Sequence, residues 1–216
     1  MAGKKDRSER VRPLPDRLLD RIDQAWDALE KGEVEEASQE AEDLMDATAG
    51  HPEARFLFGA ALLESGYPQE ALDQLESSQG KVDNPNVHLF YLASTFLELA
   101  RFEEAESLLL RVLEAEEDKA PIQYALAQAL EHLGRYAEAE EYYDQAFRND
   151  PRSYPLPTRL QREAFESVVE ESQETLPAEL TPHLAEVAVV VQDLPEREVL
   201  TERDGEPITP SVLGLF

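Results

Sequence analysis

Small residues return along this chain at an interval of 34. Gly32, Gly66, Ala100 and Gly134 form one column, Ala37, Ala71, Ala105 and Ala139 a second, and Ala25, Gly59, Ala93 and Ala127 a third. One such column is compatible with coincidence, but three in a single register define a repeating unit. The register divides residues 18–153 into four contiguous units, 18–51, 52–85, 86–119 and 120–153. A unit of that size cannot bury a core alone, so successive units must stack on one another.

The residues inside a unit give the period its physical content. In the last unit, Tyr124, Ala127 and Leu130 fall on one face of a helix that ends near Gly134. Arg135 and Tyr136 follow the glycine, and Ala139, Tyr142, Tyr143, Ala146 and Phe147 mark a second helix, with Pro151 just beyond it. Glycine reaches left-handed φ without penalty, so its column marks where the first helix ends and the chain reverses. Alanine at position 100 departs from that column and predicts a tighter or slightly strained turn. The other small columns belong where two helices cross closely.

The set Ala127, Leu130, Gly134, Tyr136, Ala139, Tyr143, Ala146 and Pro151 resembles the tetratricopeptide (TPR) repeat pattern. The earlier units are looser: Ala49, Asp83 and Glu117 stand where the terminal proline would be, and Ser78 replaces a second-helix alanine. The resemblance implies a right-handed superhelix of antiparallel helix pairs with a concave groove lined by each first helix. On that pattern the groove would present Ile22, Trp26 and Leu29, then Phe56, Ala60 and Leu63, then Phe90, Ser94 and Leu97, then Tyr124, Gln128 and Glu131. Phe56, Phe90 and Tyr124 recur every 34 residues, which fits either an aromatic ladder in the groove or packing between repeats. Trp26, the only tryptophan, lies near the open end of the stack and is expected to be an exposed anchor.

Charge narrows the partners. With 47 acidic and 20 basic residues the net charge is −27, which repels nucleic-acid phosphates and anionic lipid. TPR domains that grip a peptide's terminal carboxylate project Lys, Arg and Asn into the groove. The corresponding positions here are Glu30, Glu64, Glu98 and His132, with Asp23 close by. A row of carboxylates suits a basic or apolar segment of a protein partner. The exception to the acidity is residues 1–17, where Lys4, Lys5, Arg7, Arg10, Arg12 and Arg17 make a basic arm, expected to be disordered. Cysteine is absent, no apolar run approaches a membrane span of about 20 residues, and the opening lacks the apolar stretch of a secretory signal. A cytoplasmic location is the expectation.

The remainder changes character. Residues 151–157 carry three prolines and predict a linker, and Thr158–Thr175 is helical in pattern, with Leu160, Phe165, Val168 and Val169 expected to cap the fourth unit. Leu176–Pro182 breaks the pattern and Val187–Val191 is a β-branched run, so 176–216 is expected to be a small incomplete α+β tail. Phe165-Glu-Ser-Val-Val, Leu176-Pro, Val187–Asp193 and Leu213-Gly-Leu-Phe216 resemble the opening of a bacterial minimal zincin-like metallopeptidase domain. That family places its zinc helix, H-E-x-x-H, further on. Here His51, His88, His132 and His183 are the only histidines, none four residues from another, and each is expected to be a solvated surface residue. Phosphate-loop, dinucleotide-loop and nucleophile-elbow motifs are also missing from these residues. The sequence thus predicts a mainly α, four-hairpin TPR solenoid acting as a non-catalytic interaction scaffold, without cofactor or metal. The alternative is the adaptor portion of a zinc metallopeptidase whose catalytic segment lies past Phe216.

Overall fold

The computed structural model describes residues 12–115, 119–177, 191–192, 194–195, 197–201 and 210. Eight helices form four consecutive hairpins: α1 (Asp16–Glu30) with α2 (Val34–Ala47), and α3 (Pro52–Glu64) with α4 (Pro68–Ser78). They continue with α5 (Pro85–Glu98) and α6 (Phe102–Ala115), then α7 (Ala120–His132) and α8 (Tyr136–Asn149). Pro52, Pro68 and Pro85 open their helices at the position where a missing N–H costs nothing. The expected solenoid of four helix pairs is the observed architecture.

The four hairpin turns are one structure built four times. In the first, the Gly32 N–H donates to Leu29 O at 2.9 Å and the Glu33 N–H to Ala28 O at 2.9 Å. The same pair of bonds closes the turns at Gly66 and Tyr67, at Ala100 and Arg101, and at Gly134 and Arg135. This closure requires left-handed backbone, and Gly32, Gly66 and Gly134 supply it at φ 76°, 82° and 73°. Ala100 adopts it too, at φ 55°, so the strain expected at that position is present. Its methyl group is compensated by burial in the core.

The two alanine-rich columns are buried throughout, with Ala37, Ala71, Ala105, Ala139, Ala25, Ala93 and Ala127 at most 2 % exposed. At Gly59 even a methyl group is excluded, because a Cβ there would fall 2.8 Å from Leu75 Cγ on α4. Packing order then sets the curvature. α1 packs on α3, α3 on α5 and α5 on α7, whereas α2, α4 and α6 each pack between flanking first helices. First helices therefore form the inner layer. One apolar cluster spans α3 to α8, a second spans α1 to α3, and Trp26 and Tyr91 touch both.

Three expectations need correction. The helix expected to cap the fourth unit is α9 (Arg162–Glu174), but it buries no residue, and Leu160, Phe165 and Val168 remain exposed. The segment between α8 and α9 does the covering: Tyr154 packs on Tyr124 at 5.4 Å, and Arg159 pairs with Glu131 at 2.6 Å and Glu140 at 2.8 Å while lying over the Tyr143 ring. No strand occurs among the described residues of the tail, so the α+β expectation is not supported. Val187–Val190 and Leu213–Phe216 lie outside the described residues, and Val191 is in neither helix nor strand. A short helix, α10 (Arg197–Thr201), returns to the solenoid and buries Leu200 in its larger core cluster.

The histidines are the third correction. His88 is buried, with Nε2 2.9 Å from Leu75 O and 3.1 Å from Ser78 Oγ. A carbonyl only accepts, so Nε2 carries the hydrogen and donates to Leu75. Ser78, the exception in the alanine pattern, is the hydroxyl beside this imidazole. His132 is half-buried and stacks face to face on Phe102 at 4.3 Å, and His51 Nδ1 caps α3 by accepting from the Glu53 N–H. Burial holds the His88 pKa below its ordinary value, and His132 is lowered by burial in the same direction. The unfolded chain therefore binds protons near pH 6.5 that the folded chain refuses. The stability contributed by neutral His88 is present above that pH and lost as pH falls through and below it. Between pH 7.5 and 5.5 the wild type is expected to lose up to about 1 kcal/mol more than His88→Leu, compared by urea denaturation at each pH. Parallel pH profiles would contradict this account of His88.

Candidate partner-binding groove

The last residue of α1 is Glu30, of α3 Glu64 and of α5 Glu98. The repeat thus places one carboxylate at the C-terminal end of three successive inner-layer helices. That is the unfavourable end for an anion, because unpaired carbonyls give it partial negative charge. No basic residue occupies the last turn of any of the three. Partial shielding from water and, secondarily, the neighbouring Glu98 carboxylate raise the Glu64 pKa, which places these two groups within each other's field.

Aromatic rings border the carboxylates. Trp26 lies 4.9 Å from Phe56 and 5.4 Å from Tyr91, and Tyr91 lies 5.8 Å from Phe56 and 6.1 Å from Phe90. Burial pushes the Tyr91 phenol up to about 12, with further contributions from Glu64 and Glu30. Tyr91 is therefore the side chain that joins the aromatic cluster to the acidic row. It was not among the residues predicted from sequence. The available signal was a break in periodicity, since Leu57 and Ala125 are its counterparts 34 residues away.

The predicted groove residues separate into two groups. Ile22, Leu29, Phe56 and Leu97 are buried in the core, so they support the inner surface without presenting a face to it. Glu30, Glu64 and Gln128 are exposed, while Trp26, Leu63, Phe90, Glu98 and Tyr124 are half-buried. The continuous ladder Phe56–Phe90–Tyr124 does not form. Ring contacts run from Trp26 through Phe56 and Tyr91 to Phe90, whereas Tyr124 meets Tyr143 at 5.1 Å and Tyr154. Trp26 also departs from the expected exposed anchor, because half of its job is to bridge the two core clusters.

Among the described residues no group of three or more His, Asp or Glu side chains is placed to hold a metal ion. No described helix is long and apolar enough to cross a membrane. Glu131, at the far end of the inner layer, is committed elsewhere. It accepts from the Tyr143 hydroxyl at 2.9 Å and pairs with Arg159.

Family models match the solenoid. Residues 91–154 match the tetratricopeptide repeat model, and residues 30–112 match that of anaphase-promoting complex (cyclosome) subunit 3. Neither model reaches the tail, and the expected zincin-like resemblance is not shown. No curated protein matches the sequence. Solved structures share the fold: MamA 41-end from Desulfovibrio magneticus RS-1 has a TM-score of 0.53 at 20% identity, covering 76% of this chain and 90% of that one. MamA from MSR-1 gives 0.52 at 25% identity, covering 63% and 79%. PilF from Pseudomonas aeruginosa gives 0.53 at 16% identity, covering 78% and 75%. Repeating turns, nested alanine columns, first helices on the inside and these matches agree: the helical region of this chain is a tetratricopeptide-repeat solenoid, a fold suited to scaffolding protein–protein interaction.

Proposed function

We propose that the inner surface of α1, α3 and α5 binds a basic segment of a protein partner, with Glu30, Glu64 and Glu98 facing its cations and Trp26, Phe90 and Tyr91 packing on its apolar stems. The observation that carries this reading is the placement of three carboxylates at helix C-termini, where each costs folding free energy of about 0.3–1 kcal/mol. A cation bridging adjacent glutamates removes both the mutual repulsion and the conflict with the helix ends. Arginine fits best, since its guanidinium binds carboxylate and stacks on aromatic faces. The proximity of Glu64 to Glu98 and of Tyr91 to both Glu30 and Glu64 supports one continuous surface across three repeats.

The test is titration of a fluorescent arginine-rich peptide into the full chain, with an acidic peptide of equal length as control. Binding is expected for the basic peptide alone, weakening about tenfold between 50 and 300 mM salt as the charges are screened. Equal binding of both peptides, or affinity indifferent to salt, would overturn the proposal.

A further inference from the structure

The short helix α10 has no reason to exist except the surface it covers. Five residues cannot hold helical structure in water, since nucleation alone is unfavourable. Its order comes from two side chains three positions apart, which share one helix face. Leu200 is 1 % exposed and lies in the core cluster with Phe102 and Leu126. The Arg197 guanidinium sits 5.2 Å from the Phe102 ring centroid and donates to Glu103 Oε2 at 2.8 Å. Between them these two anchors cover a composite receptor. Phe102 is stacked on His132 with an interplanar angle of 4°, a flat platform for a guanidinium, and Glu103 stands at its edge. The neighbouring acids are already taken, Glu104 by Arg101 and Glu106 by Arg135. Glu103, its pKa lowered chiefly by the hydrogen bond from Arg197, is the carboxylate that α10 occupies.

We propose that this surface, at the start of α6 and the end of α7, is a second binding site, one for helices that carry arginine and leucine at positions i and i+3. In the isolated chain α10 occupies it in cis and a partner helix must displace it. The chemistry is specific at both ends: a planar cation between an aromatic stack and a carboxylate, and one aliphatic side chain in a closed apolar pocket. Displacement is feasible because, among the described side chains of α10, Leu200 is the one buried, and the Arg197–Glu103 pair is solvent-accessible and therefore weak. The site uses none of the three groove glutamates, although His132 stands one repeat beyond Glu98 in the same column.

The probe is a blocked, fluorescent, alanine-based helical peptide carrying Arg and Leu three residues apart, with a control in which both are Ala. Full-length protein with Arg197→Ser and Leu200→Ser is expected to bind the probe at least tenfold more tightly than wild type and to ignore the control. Circular dichroism checks that the solenoid is retained. If the double variant does not fold, Arg197→Ser alone, altered at a half-exposed side chain, is expected to show the same change in smaller degree. Equal binding of the probe by wild type and opened protein, or no binding by the opened protein, would overturn the assignment.

Discussion

Phe102→Ala is expected to lower the unfolding free energy by about 3–5 kcal/mol, the range for removing a large aromatic from a packed interior. Phe102 is 2 % exposed and begins α6 immediately after the strained turn at Ala100. Three separate contacts leave with its ring: apolar packing in the main cluster, the His132 stack and the Arg197 guanidinium. Water cannot refill the space usefully, because the cavity is mostly apolar, with the imidazole on one face and the guanidinium near another as its polar borders. At about 2–4 °C per kcal/mol for a chain of this size, the melting midpoint should fall by roughly 6–20 °C. In a linear array each unit leans on its neighbours, so the loss should fall on α5 to α8 first. Amide hydrogen exchange would show those helices opening before α1 and α2. A change below about 1 kcal/mol would mean that the α6–α7 contact is not packed as described.

Glu64→Lys combined with Glu98→Lys should act with opposite sign on binding and stability. Each reversal replaces an attraction for a cationic ligand with a repulsion worth about 1.4 kcal/mol, so affinity for the basic peptide should fall roughly a hundredfold. The fold should not suffer. Both residues end their helices, where a cation is favoured by about 0.3–1 kcal/mol and an anion is disfavoured. The Glu64 pKa is raised first by burial and second by the Glu98 carboxylate, and that second, repulsive contribution also disappears. Unfolding free energy should stay level or rise slightly in the same variant that stops binding. Lost binding with a lost fold would make these glutamates structural, and unchanged binding would remove them from the surface a partner uses. Charge reversal is cleaner than Trp26→Ala, because Trp26 bridges both core clusters and its loss would unsettle the stack.

The solenoid was legible because its cause is periodic. Small side chains that permit close helix crossings must recur once per unit, and the turn closure at Gly32, Gly66 and Gly134 demands a residue tolerant of positive φ. Which inner-helix side chains face outward was much less legible. Consecutive residues on a helix differ by about 100° around its axis, so a column such as Phe56–Phe90–Tyr124 can turn from core to groove with a small rotation between repeats. Phe56 is accordingly buried while Phe90 is half-buried, and the decisive ring is the off-column Tyr91. His88 was misread and Ser78 left unexplained, since each looks like an exception until the fold brings them to 3.1 Å. The cap was misplaced for a related reason. A helix with several apolar residues announces itself by pattern, whereas Tyr154 sits in a proline-rich stretch with no period to read and Arg159 is a polar position in the segment expected to be helical. The docking of α10 rests on one leucine and one arginine, too few for any pattern.

The most direct measurement is to label the full chain with nitrogen-15 and titrate it with the arginine-rich peptide while following amide and indole shifts. The account predicts saturable changes concentrated at the C-terminal turns of α1, α3 and α5, at Tyr91 and at the Trp26 indole. Changes confined to α2, α4 and α6, or no saturable change at all, would contradict it.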